Sequence, residues 1–559
     1  MSRAVHSEIQ LQVMWSRLIS VVEEQAQTLI RTAFSTATRE AGDLSAGVFD
    51  VEGRMLAQAV TGTPGHVNSM AKSVSHFLAR FPAATMKPGD VFITNDPWMG
   101  TGHLNDVVVV TPVFLDGRPV AHFAATVHIV DIGGRNTAIE SRQVYEEGLN
   151  IPISRIVDGG AIVEPLFELI SVNVRDPVAV RGDLYSLIAS NEAGGRQLLG
   201  LMREYGLANL DEIGGFIFAR SHEASLAAIA ALPKGTWRHS LTADGVDRPI
   251  RLEAALTVTE DAILVDFAGT DGPSPYAVNV PICYTEAYAS FGVKCIVAPT
   301  VPNNAASLAT IRVTAPADSI LNVQRPAPVV SRHILGQLLP DLVIGCLAQV
   351  PGLAVPAESA SPLWPIVLSG GPGRVDATAE ELRGATSFIV ASFHNGGTGA
   401  RPRADGLSAT AFPSGVRNVP VEITETITPV VFRRKEYLVD SGGAGRQRGG
   451  LGQVIEIENG EGKPFAINAA YDRTVYGPRG RDGGAEGRRG LLRLDDGTVL
   501  RSKGNQTIPA GRRLILEMPG GGGHGDPAGR DPAKIRDDLR DGFISAEAAR
   551  ADYGYEGEG

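Results

Sequence analysis

The sequence predicts a large α+β protein of several parts that contains mixed and antiparallel sheets. At 559 residues the chain exceeds the size at which a single hydrophobic core stops growing, so roughly two to four domains are expected. Apolar residues recur first at helical spacing and then in alternating, strand-like runs. The chain also has 65 glycines and 35 prolines, which indicate many turns and favour sites built from loops.

Spacing and capping signals predict the first elements. Ser7, with Gln10 as its partner in a capping box, begins an apolar helical pattern that predicts a long amphipathic helix ending near Arg39. The segment "DLSAGVFDVEGRMLAQAV" predicts two strands joined by a turn at "DVEG". Apolar residues on one face of residues 68–81 predict a second helix, with Asn68 as its N-cap.

Three strand-like runs follow, "GDVFITND", "NDVVVVTPVF" and "RPVAHFAATVHIVDIGG". The polar segment "NDPWMGTGHLND" is therefore predicted to be a loop at the mouth of a buried strand. Residues 183–232 have helical periodicity. We predict an N-terminal α+β domain over residues 1–235, in which the first helix accompanies a sheet that carries the candidate metal site described below.

The rest of the chain is predicted to be richer in β structure. The change begins near residue 236, at "LPKGTWRHSLT", and strand-like runs such as "IRLEAALTVTEDAILVDFAG" follow it. A region rich in Gly and Pro precedes further strand-like runs, and the last residues have helical spacing. The predicted parts are a β-rich middle domain over 236–370, Gly-rich loops with a β-rich C-terminal domain over 371–530, and a helical tail over 531–559.

Net charge and cysteine content exclude several classes of protein. A formal net charge of −11 opposes attraction to nucleic acid phosphates and anionic membranes. No stretch reaches the roughly 18 consecutive apolar residues that a spanning helix needs. Three scattered cysteines are too few for a disulfide framework and suit a reducing compartment. We therefore expect a cytoplasmic protein without a nucleic-acid or membrane partner.

Two histidine–aspartate pairs lie at the ends of predicted buried strands. His103 and Asp106 are three residues apart, as are His128 and Asp131. Imidazoles combined with carboxylates form a ligand set suited to Zn²⁺, Mn²⁺ or Fe²⁺. Asp43, at the start of an earlier strand, could converge on the same place. The pattern indicates a divalent metal site with two histidines and two carboxylates.

An alternative reading gives these residues a purely structural role. In this reading, His103 and His128 cap strand ends by bonding to loop carbonyls. His66, in the loop "TPGHVNS", is a further candidate for the metal site. Asp96 and Asp106 could likewise form Asx turns. Asp96 is thus either a turn residue or a partner that orients a ligand, and the role of Asp131 stays open.

Glycine-rich segments late in the chain suggest a site for an anion. "FHNGGTGARPRADG" contains Arg401, and "DSGGAGRQRGGLG" contains Arg446 and Arg448. Closely spaced glycines let backbone N–H groups approach an anion, and arginine supplies paired donors for carboxylate or phosphate. The alternative is a set of tight turns whose arginines pair with nearby acids such as Asp405.

The chain has no phosphate-binding loop of the GxxxxGK[ST] type. One GxGxxG match, Gly520 to Gly525 in "PGGGGHGDP", lacks a convincing preceding strand and a directly following helix. We predict a flexible loop there, and no nucleotide site in this chain.

The ordered motifs of the chain resemble those of the hydantoinase B/oxoprolinase family. "GDVFITNDPWMGTGHLNDVVVVTPVF" is similar to the family's hallmark, and "HIVDIGG", "EEGLNIP", "VNVRDP", "RGDL", "GGTGARPRADG", "VPVEITE" and "DSGGAGRQRGGLG" follow in the family's order. The family includes the B subunits of ATP-dependent N-methylhydantoinase, 5-oxoprolinase and caprolactamase, with related acetone and acetophenone carboxylase subunits. Ile129 and Asn68 depart from the family's usual residues, which bears on the substrate more than on the metal.

The resemblance implies a bound divalent metal (Zn, Mn or Fe) with Asp43, His103, Asp106 and His128 as ligands. It also implies an A-type ATPase subunit that handles ATP with Mg²⁺, and hence a hetero-oligomer. The expected function is that of a B-type subunit of an ATP-dependent cyclic amide hydrolase, which opens a hydantoin, 5-oxoproline or lactam ring after the partner has phosphorylated it. Asp106, His128 and His66 are the candidate catalytic residues, and Arg401, Arg446 and Arg448 the candidate anion-binding residues.

Two alternatives remain at this point. The chain could be a subunit of an ATP-dependent ketone carboxylase, which would use the same machinery to activate bicarbonate and an enolate. It could also be a non-catalytic scaffold whose metal is structural and which holds the A-type subunit. The sequence does not distinguish the substrates or the metals.

Overall fold

The computed structural model describes residues 6–371, 378, 380 and 384–557. Among these, the chain divides into two units. The N-terminal unit comprises the described residues of Met1–Asn136, Ser141–His239 and Ala254–Arg332. The C-terminal unit comprises those of Thr137–Glu140, Ser240–Glu253 and His333–Gly559. The four-part domain division stays a prediction.

The first helix begins at the predicted capping box but ends earlier than predicted. Ser7 and Gln10 bond reciprocally, and α1 spans Glu8–Thr32, followed by a short separate helix α2 over Thr36–Arg39. The helix stops because the amides of Phe34 and Ser35 donate to the side chain of Asp183 at 2.8 and 3.1 Å. The prediction of one helix to Arg39 was wrong because this distant carboxylate has no local signature.

A seven-stranded antiparallel sheet forms the centre of the N-terminal unit. The predicted hairpin is confirmed, and so are the three core strands. The strands are β1 Leu44–Phe49, β2 Met55–Gln58, β3 Val91–Thr94, β4 Asp106–Leu115, β5 Arg118–His128, β6 Ser154–Asp158 and β7 Ala161–Ile162. Their order in the sheet is β2-β1-β5-β4-β3-β6-β7.

Helices cover both faces of this sheet, which explains the run of valines in β4. Val107 and Val109 pack in a core that contains Leu29 of α1, whereas Val108 and Val110 pack on the opposite face. Because both faces are buried, β4 has a continuous apolar run instead of an alternating one. The helices are α3 Pro64–Arg80, α4 Val144–Glu147, α5 Glu164–Asn173, α6 Pro177–Tyr205 and α7 Asp211–Ala230.

Helix α3 begins four residues before the predicted start. Thr63 occupies the N-cap position and Pro64 the first helical position, where a proline costs no hydrogen bond. Asn68 is therefore not the N-cap. It lies buried within the helix, where its side-chain amide donates to the Ala287 carbonyl at 3.1 Å.

A second sheet and two helices complete the elements up to residue 332. The strands are β8 Gly235–Ala243, β9 Ile250–Val258, β10 Ile263–Asp266 and β11 Ile311–Thr314, in the order β11-β10-β9-β8 with β10 and β11 parallel. Helices α8 Ile282–Val297 and α9 Ala305–Ala309 lie between β10 and β11 in sequence. The predicted change to β structure near residue 236 coincides with β8.

Two four-stranded sheets share one core in the C-terminal unit. One has the order β13-β12-β16-β18 and the other β14-β15-β19-β17. These strands are β12 Trp364–Gly370, β13 Phe388–His394, β14 Val430–Tyr437, β15 Gln453–Asn459, β16 Phe465–Ala470, β17 Leu491–Leu494, β18 Lys503–Ile508 and β19 Leu514–Glu517. The helices are α10 His333–Gly336, α11 Leu339–Leu347, α12 Val421–Ile427, α13 Pro532–Arg540 and α14 Ala546–Tyr553. The last two lie within the segment predicted to be a helical tail.

The glycine-rich segment predicted to be a flexible loop is instead packed among other glycine segments. The amide of Gly521 donates to the Gly450 carbonyl at 2.9 Å, and the Gly521 carbonyl accepts from Gly443 at 2.8 Å. A Cβ atom on Gly521 would lie only 1.9 Å from the Thr398 carbonyl oxygen. The glycines therefore permit extended segments to pack backbone against backbone.

The α+β class with several mixed and antiparallel sheets is confirmed. Within the described part of the chain, every helix is too short or too polar to cross a lipid bilayer.

Candidate metal centre

The pairing of two neighbouring strands creates the candidate site. Asp106 is the first residue of β4 and His128 the last residue of β5, and the antiparallel register places them directly opposite each other. His103 lies in the loop before β4, where its carbonyl accepts from the Asp106 amide at 3.4 Å. His103 and His128, which are 25 positions apart in the sequence, thus meet at one end of the sheet.

Three potential ligand atoms face one another at this sheet end. Asp106 Oδ1 lies 2.6 Å from His103 Nε2 and 3.2 Å from His128 Nδ1. The two ring nitrogens are 3.3 Å apart. All three residues are buried. Metal–ligand bonds of about 2.0–2.2 Å place neighbouring ligand atoms about 3.0 to 3.5 Å apart, so two of these three separations match a shared ion.

The protonation of His103 shows that this donor set fits a cation. His103 Nδ1 lies 3.0 Å from the Val330 carbonyl oxygen, which can only accept, so Nδ1 carries a proton. Burial and the Arg332 guanidinium lower the pKa of His103 to about 3, so the ring is neutral and Nε2 presents a lone pair. That lone pair faces the Asp106 carboxylate, and a cation bound by both residues would remove the repulsion.

The second oxygen of Asp106 is held by three other groups. Thr101 Oγ1 donates to Oδ2 at 2.6 Å, and the Arg332 guanidinium donates to the same atom. His66 Nε2 lies 2.9 Å from it. Burial alone would raise the pKa of Asp106, but the positive charges of His66 and Arg332 hold it well below its ordinary value. Asp106 is therefore an anchored carboxylate with Oδ1 directed at the two histidines.

Arg332 is a residue of the site that sequence reasoning missed. Its side chain is buried, its Nε donates to the Thr101 carbonyl at 2.8 Å, and its guanidinium lies 4.1 Å from the centre of the Tyr284 ring. Gly102 has a positive φ of 100°, and a Cβ there would lie 2.6 Å from Arg332 Cδ. The glycine in "GTGH" is thus the one local signal of a side chain packed against this loop.

His66 and Asp43 lie beside the three ligand candidates. His66 Nδ1 is 3.6 Å from Asp43 Oδ1, and that oxygen accepts from Thr63 Oγ1 at 3.1 Å. Burial alone would lower the pKa of His66, but Asp106 and Asp43 outweigh it and raise the pKa above its ordinary value. His66 therefore favours the protonated form between two carboxylates.

Asp43 does not join the group of three in this structure. Its main-chain carbonyl accepts from the His128 amide at 3.2 Å, so the residue is next to the site, but its carboxylate faces His66 and Thr63. Its role as a fourth ligand stays a prediction.

Hydrogen bonds and an ion pair fix the position of the loop that carries His103. Asp96 accepts from the Trp98 amide at 2.9 Å and pairs with Arg325 at 2.5 Å. The Trp98 indole donates to the Val323 carbonyl at 2.8 Å. Asp96 is thus a turn residue that also pairs with an arginine, and it holds the loop in place.

The aspartate three residues after His128 has a different environment from Asp106. Asp131 is buried, accepts from the Gly133 amide at 3.0 Å and pairs with Arg175 Nη1 at 2.7 Å. It shares the three-residue spacing of Asp106 but is not one of the three clustered residues.

A buried glutamate supports His103 through the backbone. Glu147 Oε1 accepts from the amides of Val329 and Val330 at 2.6 and 2.9 Å, and the Val330 carbonyl accepts from His103 Nδ1. This contact chain fixes the tautomer in which Nε2 is available to a ligand. The family-like motif "EEGLNIP" contains Glu147, but no spacing rule connects it to His103.

The Glu147 carboxyl is expected to make stability depend on pH. Burial raises its pKa to about 8, so folding favours the protonated form. The stability that this proton supplies is complete below the ordinary value near 4.5 and is lost as pH rises toward about 8, on the order of 3 to 5 kcal/mol. Urea unfolding at pH about 5 and about 8.5 should show a larger loss for the natural protein than for Glu147→Gln.

The matched control is Glu146→Gln, which removes a more exposed carboxylate from the same short helix. It should retain the pH dependence of the natural protein. Equal pH dependence in the natural protein and in Glu147→Gln would contradict this assignment.

The three candidate anion-binding arginines lie in the C-terminal unit. The Arg401 guanidinium donates to the Asp405 carbonyl at 2.8 Å, and the Arg448 guanidinium is buried against Asp538 at 3.1 Å. The Arg446 amide donates to the Gly525 carbonyl at 3.0 Å. The contacts of Arg401 and Arg448 correspond to the alternative in which these arginines lie in tight turns and bond to nearby residues. Anion binding by the three arginines stays a prediction.

Comparisons with known proteins cover almost the whole chain. A protein of Pseudomonas sp. strain NS671, provisionally named as the B subunit of a D-/L-hydantoinase, is 27% identical over 575 aligned positions, which cover 98% of this chain and 94% of that protein. A 5-oxoprolinase of Pestalotiopsis fici is 29% identical over 95% of this chain but only 42% of its own length. This chain therefore spans less than half of that enzyme.

Two solved structures have the same fold. The ATP-dependent caprolactamase of Pseudomonas jessenii superimposes with a TM-score of 0.87 at 25% identity, covering 99% of this chain and 97% of that one. A nucleotide-free acetone carboxylase superimposes with a TM-score of 0.85, covering 98% and 80% of the two chains, and at 18% identity that likeness concerns the fold alone. The sequence profile of the hydantoinase B/oxoprolinase family matches residues 7–527. The chain belongs to the hydantoinase B/oxoprolinase family.

Proposed function

We propose that this chain is the B-type subunit of an ATP-dependent cyclic amide hydrolase and acts with an A-type ATPase subunit. The observation that carries the proposal is the buried group of His103, Asp106 and His128, whose ligand atoms face one another. Similarity along almost the whole chain to a hydantoinase B subunit and to a caprolactamase supports the substrate class. Cytoplasmic location is part of the same proposal.

His103, Asp106 and His128 would hold a divalent metal, Zn²⁺, Mn²⁺ or Fe²⁺, with Asp43 as the fourth ligand. When bound, such an ion supplies Lewis acidity, which polarises a carbonyl and lowers the pKa of water. Arg332 and Thr101 orient Asp106 by holding its Oδ2 atom, and the Val330 carbonyl orients His103.

His66 is suited to hold and move a proton at this site. Its Nε2 atom lies 2.9 Å from Asp106 Oδ2, and the Asp106 and Asp43 carboxylates outweigh burial and raise its pKa above the ordinary value. An imidazole held within hydrogen-bond distance of a carboxylate can pass a proton to a reacting molecule. We assign to His66 the transfer of a proton during ring opening.

The partner would make the amide reactive. A ring amide is resonance-stabilised, so transfer of the γ-phosphoryl group of ATP to its oxygen creates a leaving group. Water then adds to that carbon, and the ring C–N bond breaks as a proton passes to nitrogen, which leaves an acyl phosphate. A second water hydrolyses the acyl phosphate to the carboxylate and free phosphate. The sequence has no GxxxxGK[ST] loop, which agrees with ATP and Mg²⁺ being bound by the A-type subunit.

The test uses this chain co-expressed with an A-type subunit from its own genome. Ring opening of hydantoin, 5-oxoproline and a lactam is measured with and without ATP. His66→Gln should keep the metal but reduce turnover by roughly 100-fold, the scale of a lost acid–base group. His76→Gln, an exposed histidine on the same helix, is the matched control.

Each rival function has its own outcome in this test. ATP-dependent carboxylation of a ketone without ring opening would establish the carboxylase alternative. Full turnover of His66→Gln would exclude the proton-transfer role, and full turnover of a variant that has lost its metal would favour the scaffold alternative. ATP hydrolysis by this chain alone would contradict the division of labour.

A further inference from the structure

A cavity of about 550 Å³ lies in the N-terminal unit away from the residues of the candidate metal centre. Helix α1, the end of β2 and the C-terminal part of α8 supply its walls, together with the loop that follows α8. Apolar side chains form much of the lining, among them Ile19, Val60, Phe291 and Val301. The volume is in the range of about 300–1,000 Å³ that is typical of small-molecule sites.

Lys294 lines this cavity, and its ammonium group has no counter-ion within the described part of the chain. The Lys294 side chain donates to the Val301 carbonyl at 2.9 Å and to Ser307 Oγ at 3.2 Å, which accounts for two of its three donors. Among the residues that the structure describes, no carboxylate lies within ion-pairing distance of it. Burial lowers the pKa of Lys294 to about 8, so the group is still mainly charged at neutral pH.

Three residues of the same wall have a buried polar atom that lacks a hydrogen-bond partner and has almost no accessible surface. The Trp15 indole nitrogen is buried and has no hydrogen-bond partner within the described part of the chain. The same is true of Gln58 Oε1 and Asn303 Oδ1. Buried indole N–H groups and buried cations are normally paired, because leaving them unpaired costs free energy. A cavity with apolar walls and a lysine that lacks a counter-ion is suited to an anion with an apolar body.

We propose that this cavity binds a small organic acid, with its carboxylate at Lys294 and its hydrocarbon part against Ile19, Phe291 and Val301. The carboxylate provides the counter-ion that the described structure does not supply, and the Trp15 side chain lies in the same wall. The inference does not depend on the proposed hydrolase activity.

Calorimetric titration of the full chain with hexanoate and with phenylacetate tests the proposal. Binding should be saturable, and the neutral analogue hexanamide should bind at least roughly tenfold more weakly. Lys294→Met should weaken hexanoate binding by a similar factor. Lys72→Met is the matched control, since Lys72 is an exposed lysine outside this cavity that pairs with Glu286.

A second measurement does not depend on the folding of any Lys294 variant. The chain has four tryptophans, so incorporation of 5-fluorotryptophan gives four ¹⁹F signals, and Trp15→Phe identifies the one from Trp15. Hexanoate should shift that signal in the otherwise unaltered protein. The proposal is overturned if neither acid binds, if hexanamide binds as tightly as hexanoate, or if the Trp15 signal does not move at saturation.

Discussion

Asp106→Asn is expected to lose the divalent metal and to reduce ATP-dependent ring opening by at least roughly 10³, which corresponds to about 4 kcal/mol of transition-state stabilisation. The reason is the double role of this carboxylate. Its Oδ1 atom faces His103 and His128, and its Oδ2 atom is held by Arg332 and Thr101. An asparagine keeps the shape but supplies a neutral, weaker ligand.

Asp131→Asn is the matched control for this substitution. Asp131 has the same three-residue spacing from a histidine and is also buried, but it pairs with Arg175. Its variant should keep the metal, and its turnover should exceed that of Asp106→Asn by a wide margin. If both variants lose metal and activity to the same extent, the assignment of Asp106 is wrong.

Arg332→Met is expected to destabilise the metal-free protein by about 3 to 5 kcal/mol, the usual cost of removing one partner from a buried ion pair. Asp106 and Arg332 are both almost completely buried, so loss of the guanidinium leaves a charge that water does not reach. The Thr101 carbonyl also loses the donor that it has at 2.8 Å. The measurement is the free energy of unfolding from urea titration.

Arg325→Met provides the comparison for Arg332→Met. Arg325 also pairs with an aspartate, Asp96, and lies 4.7 Å from the Trp98 ring, but 38% of its side chain is exposed. Exposed ion pairs contribute roughly 0 to 1 kcal/mol, so a small effect is expected. Equal losses in the two variants would show that Arg332 does not hold a buried charge.

Several features of the site were predictable because their signals are local. The valines of β4 and the strand-like run of β5 predicted two buried strands, and His103 and Asp106 lie at the start of the first. Antiparallel strands joined by a short turn place the beginning of one beside the end of the other. The meeting of Asp106 and His128 therefore follows from the hairpin that joins β4 and β5.

The other parts of the site depend on contacts between distant segments. Arg332 lies 226 residues after Asp106, and Glu147 acts on His103 only through the backbone of Val329 and Val330. No spacing pattern connects such segments, since tertiary packing alone brings them together. Gly102 gave a partial signal, because a glycine before a ligand candidate suggests a close neighbour.

The errors in the element predictions have the same physical origin. Helix α1 stops where the Asp183 carboxylate, 149 residues away in the sequence, accepts a hydrogen bond from the Phe34 amide. Helix α3 starts early because Thr63 and Pro64 form a good helix start, whereas Asn68 has a tertiary partner in Ala287. The glycines near residue 521 gave a flexible-loop prediction because composition does not reveal that other glycine segments pack against them.

The metal content of the purified chain, determined by elemental analysis after the A-type subunit has been removed, tests the central claim most directly. The natural protein and the surface control His76→Ala should each contain one divalent ion per chain. His103→Ala and His128→Ala should remain folded but contain only a small fraction of that amount, because each removes one of the three facing ligand atoms. A full complement of metal in both variants, or none in the natural protein, would contradict the account.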